Sequence, residues 1–421
     1  MKKKIFAEVY GCSANLSDFE IALGLLKKDG YKIVDNVNDS DLNVIFTCIV
    51  KTPTANRMIH RIKELTKLKK PLVVAGCMPK TERKVIERIN PDASLIGTNS
   101  LEMIPDVVKS ALSNKKIVFT KDLKKPKLCM PRVRNNQVIE ICEIASGCLS
   151  NCSYCEVKFA RGKLFSYPKD LIVKEVKNSL NQGCKEIWLT SQDCGCYGRD
   201  IDSSLPELLR TICKIKERFF VRIGMMNPTY VKYMIDDLIN SYKSEKIFKF
   251  LHLPVQSGSN KILKLMDRNY SIKGFKNIVE KFKKEFPFLT LSTDVIVGFP
   301  SEKKKDFQKT VDLIKETKPD IVNISKFGPR PGTKAEKMEQ LPRKTINERT
   351  KRLVELVEKI KLNNTQKWLN WKGEVLIDEI GKKGGLIGRN FAYKPVLTSG
   401  KLGTFRKVKI KSVRPTYLIG E

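Results

Sequence analysis

The N-terminal third of the chain alternates short apolar runs with amphipathic stretches. Each run of strand length is followed by a stretch whose apolar positions have helical spacing. The pairs are 6–10 with 17–28, 43–46 with 54–68, and 72–75 with 81–89. Strands that alternate with helices in this way predict a doubly wound parallel sheet of the flavodoxin-like kind.

The middle of the chain repeats the strand–helix unit. Six strands are predicted, at 137–143, 185–190, 219–224, 247–253, 289–297 and 320–325. Helices are predicted after five of them, near 169–181, 206–215, 230–240, 272–285 and 304–316. Six such units predict an open (β/α)6 barrel rather than a closed eight-stranded one.

A charged helical stretch near 347–369 leads into a last segment with a different pattern. Residues 366–421 consist of short alternating strands separated by Gly, Pro and Asn turns, which predicts a small β-barrel. The glycine-rich residues 381–385 lack the strand–loop–helix context of a phosphate loop and predict a β-turn. The α/β chain is therefore divided into domains 1–113, 137–365 and 366–421, with a basic linker at 114–136.

The charge of the chain favours a polyanionic partner. Lysine and arginine number 80 against 46 acidic residues, a formal net charge of +34. Nucleic acid is the first candidate and an anionic membrane the second, but no basic amphipathic helix supports the membrane. Within 366–421 the 12 basic and 4 acidic residues give a net +8.

Six aromatic residues interleave with the charge of this last segment. In a nucleic-acid-binding barrel they would stack on bases. The alternative, which is safer for any single ring, is that they form the core of the barrel. They are Trp368, Trp371, Phe391, Tyr393, Phe405 and Tyr417.

The chain has 12 cysteines, and its basic start lacks both a long apolar stretch and a small-residue cleavage site. A disulfide framework is therefore not expected. We expect a reducing, cytoplasmic location. No apolar run reaches the length that spans a membrane.

Three cysteines stand close together in one loop, as Cys148-x3-Cys152-x2-Cys155. Three thiolates at this spacing can hold a 4Fe–4S cluster and leave its fourth iron open. A structural zinc knuckle is the alternative, but zinc usually takes four closed ligands. No second knuckle follows, and His60 and His252 are the only histidines, so the sequence favours iron and sulfur.

Three further cysteines, Cys12, Cys48 and Cys77, follow the first three predicted strands of the parallel sheet. Ligand sites in open α/β sheets lie beyond the carboxyl ends of the strands, so these thiols are expected to converge on a second cluster. The alternative is that each is a small buried hydrophobe.

Taken together, these features resemble the radical S-adenosylmethionine (SAM) methylthiotransferases over essentially the whole chain. The cysteine loop, with an aromatic residue before its last cysteine, matches the radical SAM loop. Gly11-Cys12-x2-Asn15-x2-Asp18, Thr47-Cys48 and Gly76-Cys77 match the N-terminal cluster domain, and residues 388–396 and 417–420 resemble the RNA-binding TRAM domain. The archaeal and eukaryotic branch that modifies tRNA is most similar, through stretches 160–164, 191–193, 226–228, 252–259, 294–302 and 329–333.

The resemblance implies two 4Fe–4S clusters, with SAM as methyl donor and as source of a 5′-deoxyadenosyl radical. It implies insertion of a methylthio group at carbon 2 of N6-threonylcarbamoyladenosine, next to the anticodon of tRNA. A ferredoxin- or flavodoxin-like electron donor and a sulfur source are then partners, and a monomer is expected to suffice. Alternatives are the same chemistry on another modified adenosine or on a ribosomal-protein aspartate, or a non-catalytic cluster-containing protein that binds RNA.

Polar residues at the ends of the predicted barrel strands are candidate SAM contacts: Gln192, Asn227, Gln256 and Asp294. Strand-end or turn caps are about equally good interpretations of all four. Arg161 is expected to face the SAM carboxylate or an RNA phosphate, or to form a structural salt bridge. Cys194 and Cys196 depart from the family pattern, and they are a redox pair, a transient persulfide site or, the better interpretation, chance loop cysteines.

Overall fold

The computed structural model describes residues 2–382 and 384–421, so Met1 and Lys383 of the predicted turn lie outside the described residues. The chain forms two compact units. The first contains Met1–Asn135, Ala145–Tyr167 and Gly328–Glu336, and the second contains Asn136–Ile144, Pro168–Phe327 and Lys337–Glu421. The domain boundaries drawn from the sequence stay predictions.

A six-stranded parallel sheet forms the centre of the first unit. Its strands are β1 (Lys4–Val9), β2 (Lys32–Val34), β3 (Leu42–Thr47), β4 (Leu72–Gly76), β5 (Ser94–Gly97) and β6 (Val118–Phe119). Their spatial order is β2-β1-β3-β4-β5-β6, and every neighbouring pair is parallel. The first five strands have the flavodoxin-like order, with its switch point between β1 and β3, so the prediction of a doubly wound sheet is confirmed.

Helices cover both faces of this sheet. They are α1 (Ser13–Lys28), α2 (Thr52–Lys67), α3 (Met78–Thr81), α4 (Arg83–Ile89) and α5 (Ile104–Leu112). Val44 and Phe46 of β3 belong to the core formed with α1 and α5. Ile45 between them belongs to the core formed with α2 and α4, because successive side chains of a strand point to opposite faces.

Strand β7 (Ile139–Glu143) belongs to the second unit, but the chain returns to the first unit at Ala145. There β8 (Ala145–Ser146) pairs antiparallel with β9 (Phe165–Ser166), and helix α6 (Val157–Arg161) lies between them in sequence. The cysteine loop therefore runs from β8 to α6. Neither two-residue strand was predicted, since two residues carry no alternation pattern.

Six parallel strands of the second unit lie where the sequence predicts them. They are β7, β10 (Glu186–Thr190), β11 (Phe220–Ile223), β12 (Phe250–His252), β13 (Thr290–Val297) and β14 (Ile321–Lys326). They form two three-stranded sheets, β11-β10-β7 and β12-β13-β14. A single parallel bridge between Val221 and Ile247 joins β11 to the segment before β12.

Helices connect these strands and lead to the C-terminal segment. They are α7 (Lys169–Asn181), α8 (Leu205–Cys213), α9 (Pro228–Val231), α10 (Ile235–Tyr242), α11 (Asn260–Leu265), α12 (Ile272–Glu285), α13 (Lys304–Thr317) and α14 (Arg343–Gln366). The helix predicted at 230–240 is two helices, α9 and α10. The sequence did not predict α11, because six residues are too short for a helical period to stand out.

The C-terminal segment forms a closed barrel of five strands, as predicted. They are β15 (Lys372–Ile380), β16 (Leu386–Asn390), β17 (Pro395–Thr398), β18 (Phe405–Val413) and β19 (Leu418–Gly420), in the order β15-β16-β17-β19-β18. Trp368 is fully buried in its core with Val375, Val396 and Ile410. Closure leaves no free strand edge.

The five-stranded barrel contacts the N-terminal ends of the six parallel strands. The N–H of Lys249, just before β12, donates to the Phe391 carbonyl at 2.7 Å. Lys394 forms an ion pair at 2.7 Å with Asp320, just before β14. The small barrel thus lies opposite the carboxyl ends of the strands, where active sites of such barrels are built.

Among residues 2–382 and 384–421, no helix combines the length and the apolar character needed to cross a bilayer.

Candidate functional site

The cysteines Cys12, Cys48 and Cys77 follow β1, β3 and β4, which are neighbours in the sheet. The Cys48 thiol donates a hydrogen bond to the Cys12 sulfur, which lowers the pKa of Cys12 to about 6. The same contact, together with burial, raises the pKa of Cys48. The fold therefore brings at least two of these thiols into direct contact at one edge of the sheet.

Two glycines allow the chain to come this close. Gly11 has φ +117°, and a Cβ atom on it would lie 2.8 Å from the Cys48 sulfur. Gly76 has φ +94°, and its Cβ would lie 2.4 Å from the Thr47 carbonyl oxygen. Real Cβ atoms do not approach other atoms so closely, and L side chains rarely adopt such φ values. Glycine at both positions is thus a condition for the cysteines to converge.

Backbone groups favour the thiolate form of Cys12. The N–H of Asn15 donates to its sulfur, and Cys12 is the N-cap of α1, where the helix dipole favours negative charge. Cys77 is different, because burial raises its pKa to about 11. Three sulfur donors at one sheet edge suit an iron–sulfur cluster, and binding to iron holds buried thiols as thiolates.

Arg161 lies beside this triad. Its guanidinium donates to the Cys77 sulfur and forms an ion pair at 2.8 Å with Asp18. Both partners of the pair have side chains only 1% exposed. Lys127 is a second buried cation on the Asp18 carboxylate. These contacts fit the interpretation of Arg161 as part of a structural salt bridge.

The loop from Cys148 to Cys155 is held by its own backbone and by a later segment of the same unit. The Ser150 N–H donates to the Cys148 sulfur at 3.3 Å. The Ala335 N–H donates to the Ser153 carbonyl at 2.9 Å. Burial raises the pKa of Cys155 to about 12, although the N–H groups of Val157 and Lys158 act in the opposite direction. Three thiols in a backbone-braced loop again suit a cluster held through sulfur.

Asp294 lies within β13, three residues before the strand ends, and not at the end as the sequence analysis placed it. Its carboxylate oxygen Oδ1 is 3.1 Å from His252 Nε2 and accepts from Asn323 Nδ2 at 2.8 Å. The side chain of Asp294 remains 29% exposed. His252 and Asn323 were not among the predicted site residues. Strand register pairs Asp294 with Asn323, and it pairs His252 with Ser292, two residues before Asp294.

The other predicted SAM contacts lie in loops after their strands. Asn227 is buried, and its side-chain oxygen caps α9 by accepting the Thr229 N–H at 3.1 Å, which matches the capping alternative. Gln256 has φ +65°, and its N–H donates to the Asp294 carbonyl at 2.8 Å. Gln192 lies two residues after β10. Contact of these residues with SAM stays a prediction.

Cys194 and Cys196 are both fully buried. The Cys194 thiol donates to the Leu189 carbonyl and the Cys196 thiol to the Asp193 carbonyl, at 3.6 and 3.1 Å. Burial raises the pKa of Cys194 to about 12. Cys194 therefore has the properties of a small packing group, whereas the role of Cys196 stays open.

Most aromatics of the last segment are also packing groups. Trp368, Trp371 and Phe391 contact one another, with ring centroids 5.6 to 6.0 Å apart. Tyr393 contacts Phe250 of β12 at 5.1 Å. Tyr417 differs, because this residue is 38% exposed. Of the six, Tyr417 is the ring best placed to meet a base.

Three family models match consecutive parts of the chain. Residues 4–97 match the Uncharacterized protein family UPF0004, residues 142–314 the Radical SAM superfamily, and residues 372–421 the TRAM domain. The second match spans the cysteine loop and most of the six parallel strands of the second unit. The class is therefore that of a radical SAM protein with an extra N-terminal domain and a C-terminal TRAM barrel.

Curated relatives narrow the class. A protein of Pyrococcus horikoshii named probable threonylcarbamoyladenosine tRNA methylthiotransferase is 42% identical over 99% of both chains. The threonylcarbamoyladenosine tRNA methylthiotransferase of Drosophila melanogaster is 37% identical over 100% of this chain and 77% of its own. The chain belongs to the threonylcarbamoyladenosine tRNA methylthiotransferase family.

Solved structures share the fold at low sequence identity. The radical S-adenosylmethionine methyltransferase TsrM from Kitasatospora setae has a TM-score of 0.59 at 12% identity, with 80% of this chain and 77% of that chain covered. The cobalamin-dependent S-adenosylmethionine radical enzyme OxsB has a TM-score of 0.53 at 13% identity, with 85% and 56% covered. These likenesses support the architecture alone.

Proposed function

We propose that this protein is a radical SAM enzyme that adds a methylthio group to carbon 2 of N6-threonylcarbamoyladenosine in tRNA. The observation that carries the proposal is the second thiol site, in which Cys12 and Cys48 are in contact and Cys77 lies at the end of the adjacent strand. A binding protein needs no second open site. Membership of the methylthiotransferase family supplies the substrate class.

Two sets of ligands divide the work. Cys148, Cys152 and Cys155 hold the radical cluster, and Cys12, Cys48 and Cys77 hold the auxiliary cluster. With a cluster bound, the radical triad would supply the electron for reductive cleavage of SAM, and the auxiliary triad would hold the sulfur species that is inserted. The protein contributes the rigid sheet edge and the braced loop that hold the two open positions.

Asp294 is the best candidate for orienting SAM. His252 and Asn323 both contact its Oδ1, which fixes the carboxylate while its side chain stays partly accessible. A carboxylate held in this way can accept hydrogen bonds from an amino group or from ribose hydroxyls. Gln192, Asn227 and Gln256 are weaker candidates for contact with SAM. The side chain of Asn227 already caps a helix.

The tRNA substrate agrees with the charge of the molecule. A net charge of +34 favours phosphate contacts, and the small barrel adds +8 of that charge. A base in a tRNA loop can be extruded to reach a site at the carboxyl ends of barrel strands. A ferredoxin- or flavodoxin-like electron donor and a sulfur source complete the partners. We place the protein in the cytoplasm and expect a monomer to suffice.

One reconstitution tests the proposal. The clusters are rebuilt anaerobically, SAM, reductant and tRNA are added, and the nucleosides are analysed by mass spectrometry. The expected product is 2-methylthio-N6-threonylcarbamoyladenosine, formed only from tRNA that carries threonylcarbamoyladenosine. A methylthio product on a different modified adenosine or on a ribosomal-protein aspartate would show that the substrate is different from the one proposed. Absence of a methylthio product on all of these substrates would contradict the proposal.

A further inference from the structure

The segment that carries the radical cysteines also carries the residue that touches the auxiliary triad. After Cys155 the chain forms the short helix α6, which ends at Arg161, six residues along the sequence. Ala160 of this helix packs in the same apolar cluster as Cys48 and Cys77. The Asn99 side chain donates to the Arg161 carbonyl at 3.1 Å. Helix α6 is thereby fixed against the sheet edge at which the triad lies.

Arg161 belongs to a group of buried charged side chains that also contains Asp18 and Lys127. Its guanidinium is 1% exposed, pairs with Asp18 at 2.8 Å and donates to the Cys77 sulfur. Lys127 pairs with the same carboxylate and is also buried. The Arg161 guanidinium therefore places a positive charge next to the Cys77 sulfur, in a buried position where water screens it little.

We propose that Arg161 is a positioning residue for the auxiliary cluster, which holds Cys77 as a ligand and makes reduction of that cluster easier, while Asp18 limits the effect. The inference rests on the proposed binding of a cluster by Cys12, Cys48 and Cys77. A hydrogen bond to a ligand sulfur and a nearby positive charge both stabilise the reduced cluster, which carries one more negative charge. Asp18 orients the guanidinium and opposes part of its charge.

The contacts explain why arginine is used at this position. A planar guanidinium can form an ion pair with the Asp18 carboxylate through one nitrogen while another N–H group donates to the Cys77 sulfur in a fixed direction. A lysine carries the same charge but not this geometry. The Arg161→Lys variant therefore distinguishes the effect of the charge from that of the hydrogen bond. It should keep most of the electrostatic effect and lose the directed hydrogen bond to the Cys77 sulfur.

The test observes the auxiliary cluster alone. The full-length chain with Cys148, Cys152 and Cys155 changed to alanine is reconstituted anaerobically, so that only the auxiliary triad can bind a cluster. Its midpoint potential is then measured by reductive titration with electron paramagnetic resonance. Arg161→Gln and Asp18→Asn are compared in this background, and iron content and circular dichroism are measured for each.

The two substitutions are expected to act in opposite directions. Arg161→Gln removes a positive charge and should lower the midpoint potential, whereas Asp18→Asn removes a negative charge and should raise it. Arg161→Lys should lie between Arg161→Gln and the unsubstituted protein. A merely structural role would change cluster occupancy in all variants without moving the potential in opposite directions.

The outcomes separate the inference from the function on which it rests. If the background protein binds no cluster, the proposed auxiliary site is wrong. If a cluster binds in every variant with one unchanged potential and an unchanged resonance spectrum, the role of Arg161 is wrong while the site stands. If Arg161→Gln fails to fold, the comparison of Arg161→Lys with Asp18→Asn still decides the sign of the shift.

Discussion

The Lys394 ammonium lies 2.7 Å from the Asp320 carboxylate, and the two side chains are only 9% and 4% exposed. Lys394 belongs to the loop before β17 and Asp320 to the residues before β14, so this pair connects the small barrel to the six parallel strands. The other Asp320 oxygen accepts the Leu291 N–H at 3.0 Å. Because the Asp320 carboxylate is buried, both partners are needed to stabilise its negative charge.

Removal of the Lys394 charge should weaken this junction. We expect Lys394→Met to destabilise the second unit by about 3 kcal/mol, because it leaves a buried carboxylate without its cation. Urea unfolding followed by tryptophan fluorescence measures this, since Trp188, Trp368 and Trp371 all belong to that unit. The addition of Asp320→Asn should recover part of the loss.

The control is Lys411→Met, which removes an exposed ion pair with Glu421, whose side chains are 51% and 73% exposed. Such a pair contributes less than about 1 kcal/mol. Equal losses in the two variants would show that the Lys394–Asp320 pair does not stabilise the junction.

A second buried contact at this junction makes stability depend on pH. Burial, together with the Glu186 carboxylate, raises the pKa of Asp378 to about 9, although Arg389 at 3.3 Å opposes the shift. In the unfolded chain Asp378 titrates near 4, so between about pH 4 and 9 the folded state binds more protons. The stability that this proton confers is therefore lost as the pH rises through that window, with a slope of up to about 1.4 kcal/mol per pH unit.

Asp378→Asn should flatten this slope between pH 6 and about 9, because an amide can donate to Glu186 as a protonated carboxyl does and does not titrate. Urea midpoints measured across this range check the expectation. Glu379→Gln is the control, since Glu379 also pairs with Arg389 but is 47% exposed. An unchanged slope in Asp378→Asn would show that another group titrates here.

The ring of Tyr417 offers a test of the RNA surface. Because it is the most exposed of the six aromatics, we expect Tyr417→Ala to weaken tRNA binding by about 1 kcal/mol, at the low end for a stacked base. Tyr417→Phe keeps the ring and should keep the affinity. Arg414→Gln, at an exposed neighbour, should reduce the slope of log K against log salt by about 1. Equal affinity in all three variants would place the RNA elsewhere.

We expect substitutions in the two cysteine triads to block different steps of the reaction. Cys148→Ala should abolish SAM cleavage, because the radical cluster loses a ligand. Cys12→Ala should leave SAM cleavage intact and stop sulfur insertion. Formation of 5′-deoxyadenosine and of the methylthio nucleoside are measured separately, with Cys213→Ala on α8 as control. Sulfur insertion by the Cys12→Ala protein would overturn this division of labour.

Features that depend on local order along the chain could be predicted from the sequence. Cys12, Cys48 and Cys77 could be assigned to one edge because each comes after an apolar strand of a parallel sheet, whose carboxyl ends share an edge. The features that the sequence missed depend on contacts between distant residues. Lys127 meets Asp18 across 109 positions, and Asp294 meets His252 across 42. Such contacts depend on packing and strand register, which no local pattern specifies.

The interpretation of Arg161 shows the same limit. The sequence left open whether Arg161 faces the SAM carboxylate, an RNA phosphate or a structural salt-bridge partner. In the structure α6 lies against the sheet edge, where Asp18 is the ion-pair partner of Arg161. A charged residue at the end of a five-residue helix gives no sequence signal for the direction in which it points.

The contact between Gly11 and Cys48 gives the last prediction. A Cβ atom at Gly11 would lie 2.5 Å from the Cys48 Cβ and 2.8 Å from its sulfur, and the φ of +117° is itself strained for any L side chain. Gly11→Ala should therefore displace Cys48 and prevent the auxiliary cluster from binding, while the radical cluster remains. Iron content and SAM cleavage measure the two effects.

Gly30→Ala is the matched control, because Gly30 has φ +92° but nothing within 4 Å of its Cβ position. It carries a backbone strain of about 1–2 kcal/mol without the clash, so its protein should bind both clusters. Full iron content in Gly11→Ala would show that the triad tolerates a wider spacing than the structure indicates.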